Sequence, residues 1–161
     1  MRIHEVKDDG KLLGKIYLRE GYNKLFLVGY KGVSVKTLFD QIFEDLQESF
    51  VIKGSIGALD NIQLGYRNNQ TQEYEITTLT ESHELLSLNG NVGLKPNGEI
   101  FSHIHGSFSD ESCLVKGGHI VDGNISITLE CFIEPLGLVL EREHDKDTGL
   151  DLISKAKDSK A

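Results

Sequence analysis

The sequence contains no tryptophan, only two prolines and only two cysteines among its 161 residues. Two thiols in a chain of this length do not make the disulfide framework that stabilises small secreted domains. Few prolines beside 17 glycines indicate tight turns between short strands more than flexible linkers. Neither a membrane span nor the apolar core of a secretory signal can be found, so we expect a cytoplasmic protein with no membrane partner.

Basic residues are also scarce relative to acidic ones. The chain has 17 Lys and Arg against 25 Asp and Glu, a net charge of −8, and no run of basic residues. Nucleic-acid binding draws most of its affinity from Lys and Arg that neutralise phosphates, so direct DNA binding is not favoured. The 39% hydrophobic and 26% charged residues are typical of a globular protein. We predict one domain over residues 1–153 and a polar, disordered tail over residues 154–161.

One helix stands out among a series of strand-like segments. Ser34 is a suitable N-cap, and the apolar residues that follow recur every three or four positions, as one face of a helix requires: Val35, Leu38, Phe39, Ile42 and Leu46. Strands are predicted at 12–18, 25–30, 62–66, 74–79, 85–91, 100–108, 115–121 and 124–133, with the last two joined by a hairpin at Asp122-Gly123. The pattern indicates an α+β fold, a mostly antiparallel sheet with one main flanking helix.

The histidines form the most distinctive pattern. His103 and His105 are two residues apart in a predicted strand, so their side chains share one face. A turn signal at Ser109-Asp110-Glu111 would fold the next strand back and bring His119 beside them. Three neutral imidazoles suit a divalent metal, zinc above all, and leave a fourth position for water, a small ligand or a neighbouring chain.

Glu130 lies on the following strand, in phase with Ser126 and Thr128 and opposite to the apolar Ile127 and Leu129. It could orient a histidine N–H or serve as a fourth ligand. The alternative is that the histidines line a polar patch or a subunit contact without metal, because His-x-His also occurs by chance.

His83 is interpreted as a surface residue, with a contribution to the site left open. Gly54-Ser55-Ile56-Gly57 lacks the spacing and the lysine of a phosphate loop and is interpreted as a turn or a close backbone approach.

Taken together, several segments resemble the plant and prokaryote conserved (PPC) domain, which in plants follows an AT-hook. They are residues 54–59 (GSIGAL), 64–66 (LGY), 83–91 (HELLSLNGN), the histidine block from 103 to 119, and 128–130 (TLE). The likeness extends over roughly residues 12–153. It implies an antiparallel sheet with a flanking helix, assembled as a homotrimer, with the histidine block lining a site near the subunit boundary.

The resemblance leaves the function open. The first hypothesis is a trimeric metal-binding module, which could be an enzyme that uses metal-bound water in hydrolysis or lyase chemistry. The second is a DNA-associated or transcription-regulatory protein, as the plant members suggest. Against the second, this sequence has no Arg-Gly-Arg-Pro hook of the kind that enters a minor groove. The third is a small-ligand sensor, in which the open metal position binds an anion or a metabolite.

Overall fold

A computed structural model describes residues 1–68, 70–71 and 73–159, which form ten strands and one helix. The strands are β1 Arg2–Asp8, β2 Lys11–Leu18, β3 Leu25–Tyr30, β4 Phe50–Arg67, β5 Tyr74–Leu79, β6 His83–Leu94, β7 Ile100–Ser109, β8 Val115–Pro135, β9 Leu138–Asp145 and β10 Leu150–Asp158. The helix α1, Val35–Leu46, lies between β3 and β4.

All ten strands belong to one sheet, and its central strands close on themselves. Strand order runs β1-β2-β3-β8-β4-β6-β9-β10, with β5 paired to β4. Strand β7 pairs with both β6 and β8, so β4, β6, β7 and β8 form a ring of antiparallel neighbours. Among the described residues the one parallel pairing is the contact of Leu94 with Glu141. The predicted antiparallel sheet with one helix is therefore confirmed.

The helix packs on the sheet through the apolar face that the sequence predicted. Val35, Leu38, Phe39 and Ile42 are buried against β1, β7 and β8, where burial of each large side chain contributes about 1.5–3 kcal/mol. At the N-terminus, the Ser34 hydroxyl oxygen accepts a hydrogen bond from the Thr37 amide, as an N-cap does. The helix ends at Gln47, which adopts the left-handed conformation and donates its amide to the Phe43 carbonyl.

The hairpin predicted at Asp122-Gly123 is wrong, because β8 continues through both residues. Instead of starting a turn, the Asp122 carboxylate accepts hydrogen bonds from the Ser34 hydroxyl and the Lys36 amide. Gly123 passes close to β4, where a Cβ would lie 3.4 Å from the Ile62 Cα. The irregular pairing of β8 with β4 around residues 59–64 accommodates this stretch as a bulge rather than as a turn.

The predicted disordered tail is also wrong over residues 154–158, which belong to β10. Polar composition was misleading here because this edge strand keeps most of its side chains exposed, and ion pairs tie it to β9: Lys155 with Glu143 and Lys157 with Glu141. Charged side chains are typical of edge strands. Residues 160–161 lie outside the described part of the chain.

Within the described ranges, no helix has the length and hydrophobicity needed to cross a membrane.

Candidate metal centre

The β7–β8 hairpin brings the three predicted histidines together. Its register places His105 directly opposite His119, and His103 lies two residues before His105 on the same face. The connecting loop is closed by Asp110, whose carboxylate accepts hydrogen bonds from the Ser112 and Leu114 amides. The turn signal at residues 109–111 is thus confirmed, and so is the convergence that it predicted.

The cluster has dimensions that suit one metal ion. The ring centroids of His103, His105 and His119 are 5.3, 5.5 and 5.4 Å apart. One nitrogen from each ring lies within 4.8 Å of the other two. Imidazole nitrogens bind zinc at about 2.0–2.1 Å, so small side-chain rotations would complete the coordination. The donor set and its spacing therefore fit a divalent metal.

Strand phase turns these side chains away from the core. The neighbouring Ile104 and Ile120 point inward and are buried, which leaves the histidines on the outer face of the ring of strands. Gly65 of β4 is paired with His119 and makes room for it. A Cβ at Gly65 would lie 3.1 Å from Val121, 3.3 Å from Tyr74 and 3.4 Å from the His119 ring.

The environment of His103 and His119 favours the neutral form of these two imidazoles. Partial burial lowers the pKa of His103 to about 4, and the positive charges of Arg142, His119 and His105 add to this effect. Partial burial also lowers the pKa of His119, again with contributions from His105 and Arg142. Because a metal binds the neutral form of imidazole, these two side chains are in the binding state at neutral pH.

A pocket of about 390 Å³ opens beside the cluster. His103 and His119 form one wall, and Tyr74, Phe101 and Leu152 supply apolar surface. This is within the size range of small-molecule sites. The histidine cluster therefore faces a space that can hold a small ligand.

Arg142 of β9 also lines this pocket, and the sequence pattern did not single it out. Its residue surface is only 5% exposed. The guanidinium donates hydrogen bonds to the Asn91 side-chain oxygen and to the Asp151 carbonyl and stacks 4.8 Å over the Phe101 ring. Asn91 lies in the 83–91 segment that carries the family resemblance, whereas no sequence pattern pointed to Arg142, its hydrogen-bond partner.

Glu130 does not reach the cluster within the chain. It lies eleven residues after His119 on β8, which at roughly 3.3 Å per residue is far beyond ligand distance. It borders a separate surface pocket with Ile56, Leu86 and Ile127. Among the described residues, the candidate metal ligands are the three histidines alone, so the structure does not support the predicted role of Glu130 in the same chain.

His83 is buried rather than exposed, which corrects the surface interpretation. It lies at the start of β6 with 6% of its surface exposed, and its Nδ1 is hydrogen-bonded to the Glu81 carbonyl.

The close-approach interpretation of the 54–57 segment is confirmed at Gly57. There, a Cβ would lie 2.1 Å from the Thr128 carbonyl oxygen of β8.

The fold and the site define a class: a largely antiparallel sheet protein with three clustered histidines on its outer face. The family model of the Plants and Prokaryotes Conserved (PCC) domain matches residues 36–137. The chain belongs to this family, as the resemblance predicted.

Solved structures agree with this assignment. A plant- and prokaryote-conserved (PPC) protein from Pyrococcus horikoshii is 31% identical, with 88% of this chain and 94% of that one covered and a TM-score of 0.73. A metal-containing protein from Archaeoglobus fulgidus is 30% identical, with 87% and 98% covered and a TM-score of 0.74. A candidate DNA-binding protein from Bacteroides thetaiotaomicron has a TM-score of 0.78 over 88% and 97% of the chains, but at 18% identity it shows the fold alone. No curated protein matches the chain.

Proposed function

We propose that this protein is a trimeric metal-binding module of the zinc type, in which His103, His105 and His119 hold the metal. A fourth coordination position is left for water or a small ligand. The observation that carries the proposal is the convergence of three imidazole nitrogens within 4.8 Å. A divalent metal held in this way polarises whatever occupies the fourth position, which suits both catalysis and ligand sensing.

The composition of the site favours zinc. Three imidazoles without a thiolate or a carboxylate are a common ligand set for zinc with an open position. The lowered pKa of His103 and His119 supports binding at neutral pH. The Archaeoglobus fulgidus relative, 30% identical, is described as metal-containing, which adds independent support.

Metal analysis of protein purified without a histidine tag tests the proposal. We expect about one equivalent of zinc per chain in the wild type and less than about 0.2 in the His119→Ala variant, because two imidazoles bind zinc far more weakly than three. His4→Ala is the matched control, since His4 is on β1 and bonds to Asp45. Equal metal content in wild type and His119→Ala, or none in either, would contradict the metal site.

The trimer is supported by an apolar surface beside the histidines. Tyr74 and Ile76 of β5 are each 50% exposed, and Ile76 is paired with Gly65, which is itself paired with His119. Val121, also exposed, contacts the same position from β8. Exposed apolar groups that adjoin one another are typical of subunit contacts, and here they border the proposed metal site.

Sedimentation equilibrium tests this assembly. We expect a particle of three 17.9 kDa chains for the wild type and a shift toward monomer for Ile76→Lys, because a lysine would place a charge in the contact. Ile3→Lys, on β1 and also about half exposed, is the control and should remain trimeric. A monomeric wild type at micromolar concentration would contradict the trimer and leave the metal analysis unaffected.

A further inference from the structure

The pocket beside the histidine cluster carries a buried cation that metal binding does not use. Arg142 has five N–H donors, and the chain engages the guanidinium through the Asn91 amide oxygen and the Asp151 carbonyl. Neither of these acceptors is charged. Burial lowers the pKa of the arginine, and the nearby Asp151 opposes that effect, yet Arg142 remains a cation at any ordinary pH. A buried cation normally needs an anionic partner.

The orientation of Arg142 is fixed from several sides. Its two hydrogen bonds connect it to β6 and β10, and the Phe101 ring stacks under the guanidinium at 4.8 Å. Phe101 in turn lies 6.3 Å from the His103 ring. One aromatic ring thus separates the arginine from the metal-ligand cluster, and both line the same pocket.

The second cation near Phe101 has its own counter-charge. The Lys95 ammonium lies 5.7 Å from the Phe101 ring but forms an ion pair with Glu99 at 3.1 Å. Arg142 forms no ion pair among the described residues, and the Asp151 carboxylate, which also lines the pocket, is hydrogen-bonded to His144. The guanidinium matches a carboxylate, which carries one charge and accepts two parallel N–H bonds. A phosphate at neutral pH carries more charge and is usually bound by several cations or a helix N-terminus.

We propose that Arg142 binds the carboxylate of a small organic acid, whose second oxygen donor reaches the open position at the three histidines. This rests on the proposed function for the second contact, whereas the carboxylate contact depends on Arg142 and the pocket alone. The ligand chain lies along Phe101 and Leu152, so its length must match the width of about one aromatic ring. The class of ligand is a short dicarboxylate or a hydroxy or keto acid.

Isothermal titration calorimetry with acetate, malonate, succinate, glutarate and inorganic phosphate tests the proposal on the zinc-loaded wild type. We expect one dicarboxylate to bind at least tenfold more tightly than acetate. Arg142→Gln should weaken that binding at least tenfold and retain its zinc, because it leaves all three histidines in place. Arg19→Gln is the control, since Arg19 stacks on Tyr22 outside the pocket.

A second variant covers the case in which Arg142→Gln unfolds, because its hydrogen bonds join β9 to two other strands. Leu152→Trp fills the pocket from an exposed position without changing those bonds, and it should weaken dicarboxylate binding to a similar extent. If Arg142→Gln is folded and both variants bind dicarboxylate as the wild type does, the inference is wrong while the metal site stands. Tighter Arg142-dependent binding of phosphate than of every dicarboxylate would also overturn it.

The metal-free His119→Ala protein separates the two proposals. Weak carboxylate binding that persists there and disappears in the double variant with Arg142→Gln supports the arginine site independently of zinc. If the wild type contains no zinc but shows this arginine-dependent binding, the metal proposal fails and the carboxylate site stands. Absence of arginine-dependent binding in both zinc-loaded and zinc-free protein overturns the carboxylate site.

Discussion

At the residue level, His103 makes the metal-free protein sensitive to acid. Burial and the neighbouring positive charges hold its pKa near 4 in the folded chain, against an ordinary value of about 6.5 for an exposed histidine. Between these values the unfolded chain binds more protons than the folded one. The free energy of unfolding therefore decreases as the pH falls from about 6.5 to 4.

Urea unfolding of metal-free protein at several pH values measures this dependence. We expect His103→Gln to flatten the pH profile between 6.5 and 4 relative to the wild type. The comparison with the wild type removes the contribution of the carboxylates, which both proteins share. A wild-type slope in His103→Gln would show that His103 is not the responsible group.

Gly90 determines how closely β6 approaches β7 next to the site. A Cβ at this position would lie 2.1 Å from the His103 carbonyl oxygen and 2.8 Å from the Ile104 Cα. Gly90→Ala must push the strands apart, and we expect it to lower the free energy of unfolding by about 1–3 kcal/mol and to reduce zinc content. Gly118→Ala is the matched control, because a Cβ there meets nothing within 4 Å. Chemical denaturation and metal analysis compare the stability and the zinc content of the two variants.

The histidines could be predicted from the sequence, and the residues around them could not. His103, His105 and His119 are related by strand period and one turn, which are local properties. Arg142 depends on Asn91 and Phe101, which come from other strands, so a single arginine in a polar segment gave no signal. The predicted contact of Glu130 with the histidines is not found within the chain. Strand phase gives the face on which a side chain lies, but not its distance along the strand.

At the level of elements, α1 is anchored to β8 at its first turn. The Asp122 carboxylate accepts from the Ser34 hydroxyl at 2.9 Å and from the Lys36 amide at 3.1 Å, and a negative charge is favourable at a helix N-terminus. We expect Asp122→Ala to lower the free energy of unfolding by about 1–2 kcal/mol. Asp122→Asn should have a smaller effect, since the amide oxygen still accepts from backbone N–H groups.

A double-mutant cycle with Ser34→Ala measures the connection directly. Because the two side chains share a hydrogen bond, we expect a coupling energy of about 0.5 kcal/mol or more, obtained from denaturant unfolding of the four proteins. Additive effects within experimental error would show that the cap and the carboxylate act separately.

Elements with strong local patterns were predicted well. The cap and apolar period of α1 and the strands β3 and β5 are where the sequence placed them. The predictions for β8 and β10 were wrong. An Asp-Gly pair is compatible with a bulge as well as with a hairpin turn, and a charged C-terminal segment is compatible with an edge strand as well as with disorder. What decides between these alternatives is pairing with distant strands, β4 for the first and β9 for the second.

At the level of the whole molecule, the net charge of −8 opposes contact with DNA. We expect no change in the fluorescence anisotropy of a labelled A·T-rich duplex at micromolar protein and about 0.15 M salt, because few counterions would be released. A mixed-sequence duplex serves as the comparison. Saturable binding that weakens steeply with salt would contradict this and favour the DNA-associated alternative.

All three candidate ligands belong to the single hairpin of β7 and β8, within residues 103–119. The loop that must close to bring them together is short, so its entropic cost is small. We therefore expect zinc to be captured by this segment before the remaining strands have paired, and by the unfolded chain as well. A ligand that also binds the unfolded state raises the melting temperature less than its affinity for the folded protein suggests. Zinc bound at this site would therefore stabilise the folded chain by less than its affinity for the folded state alone implies.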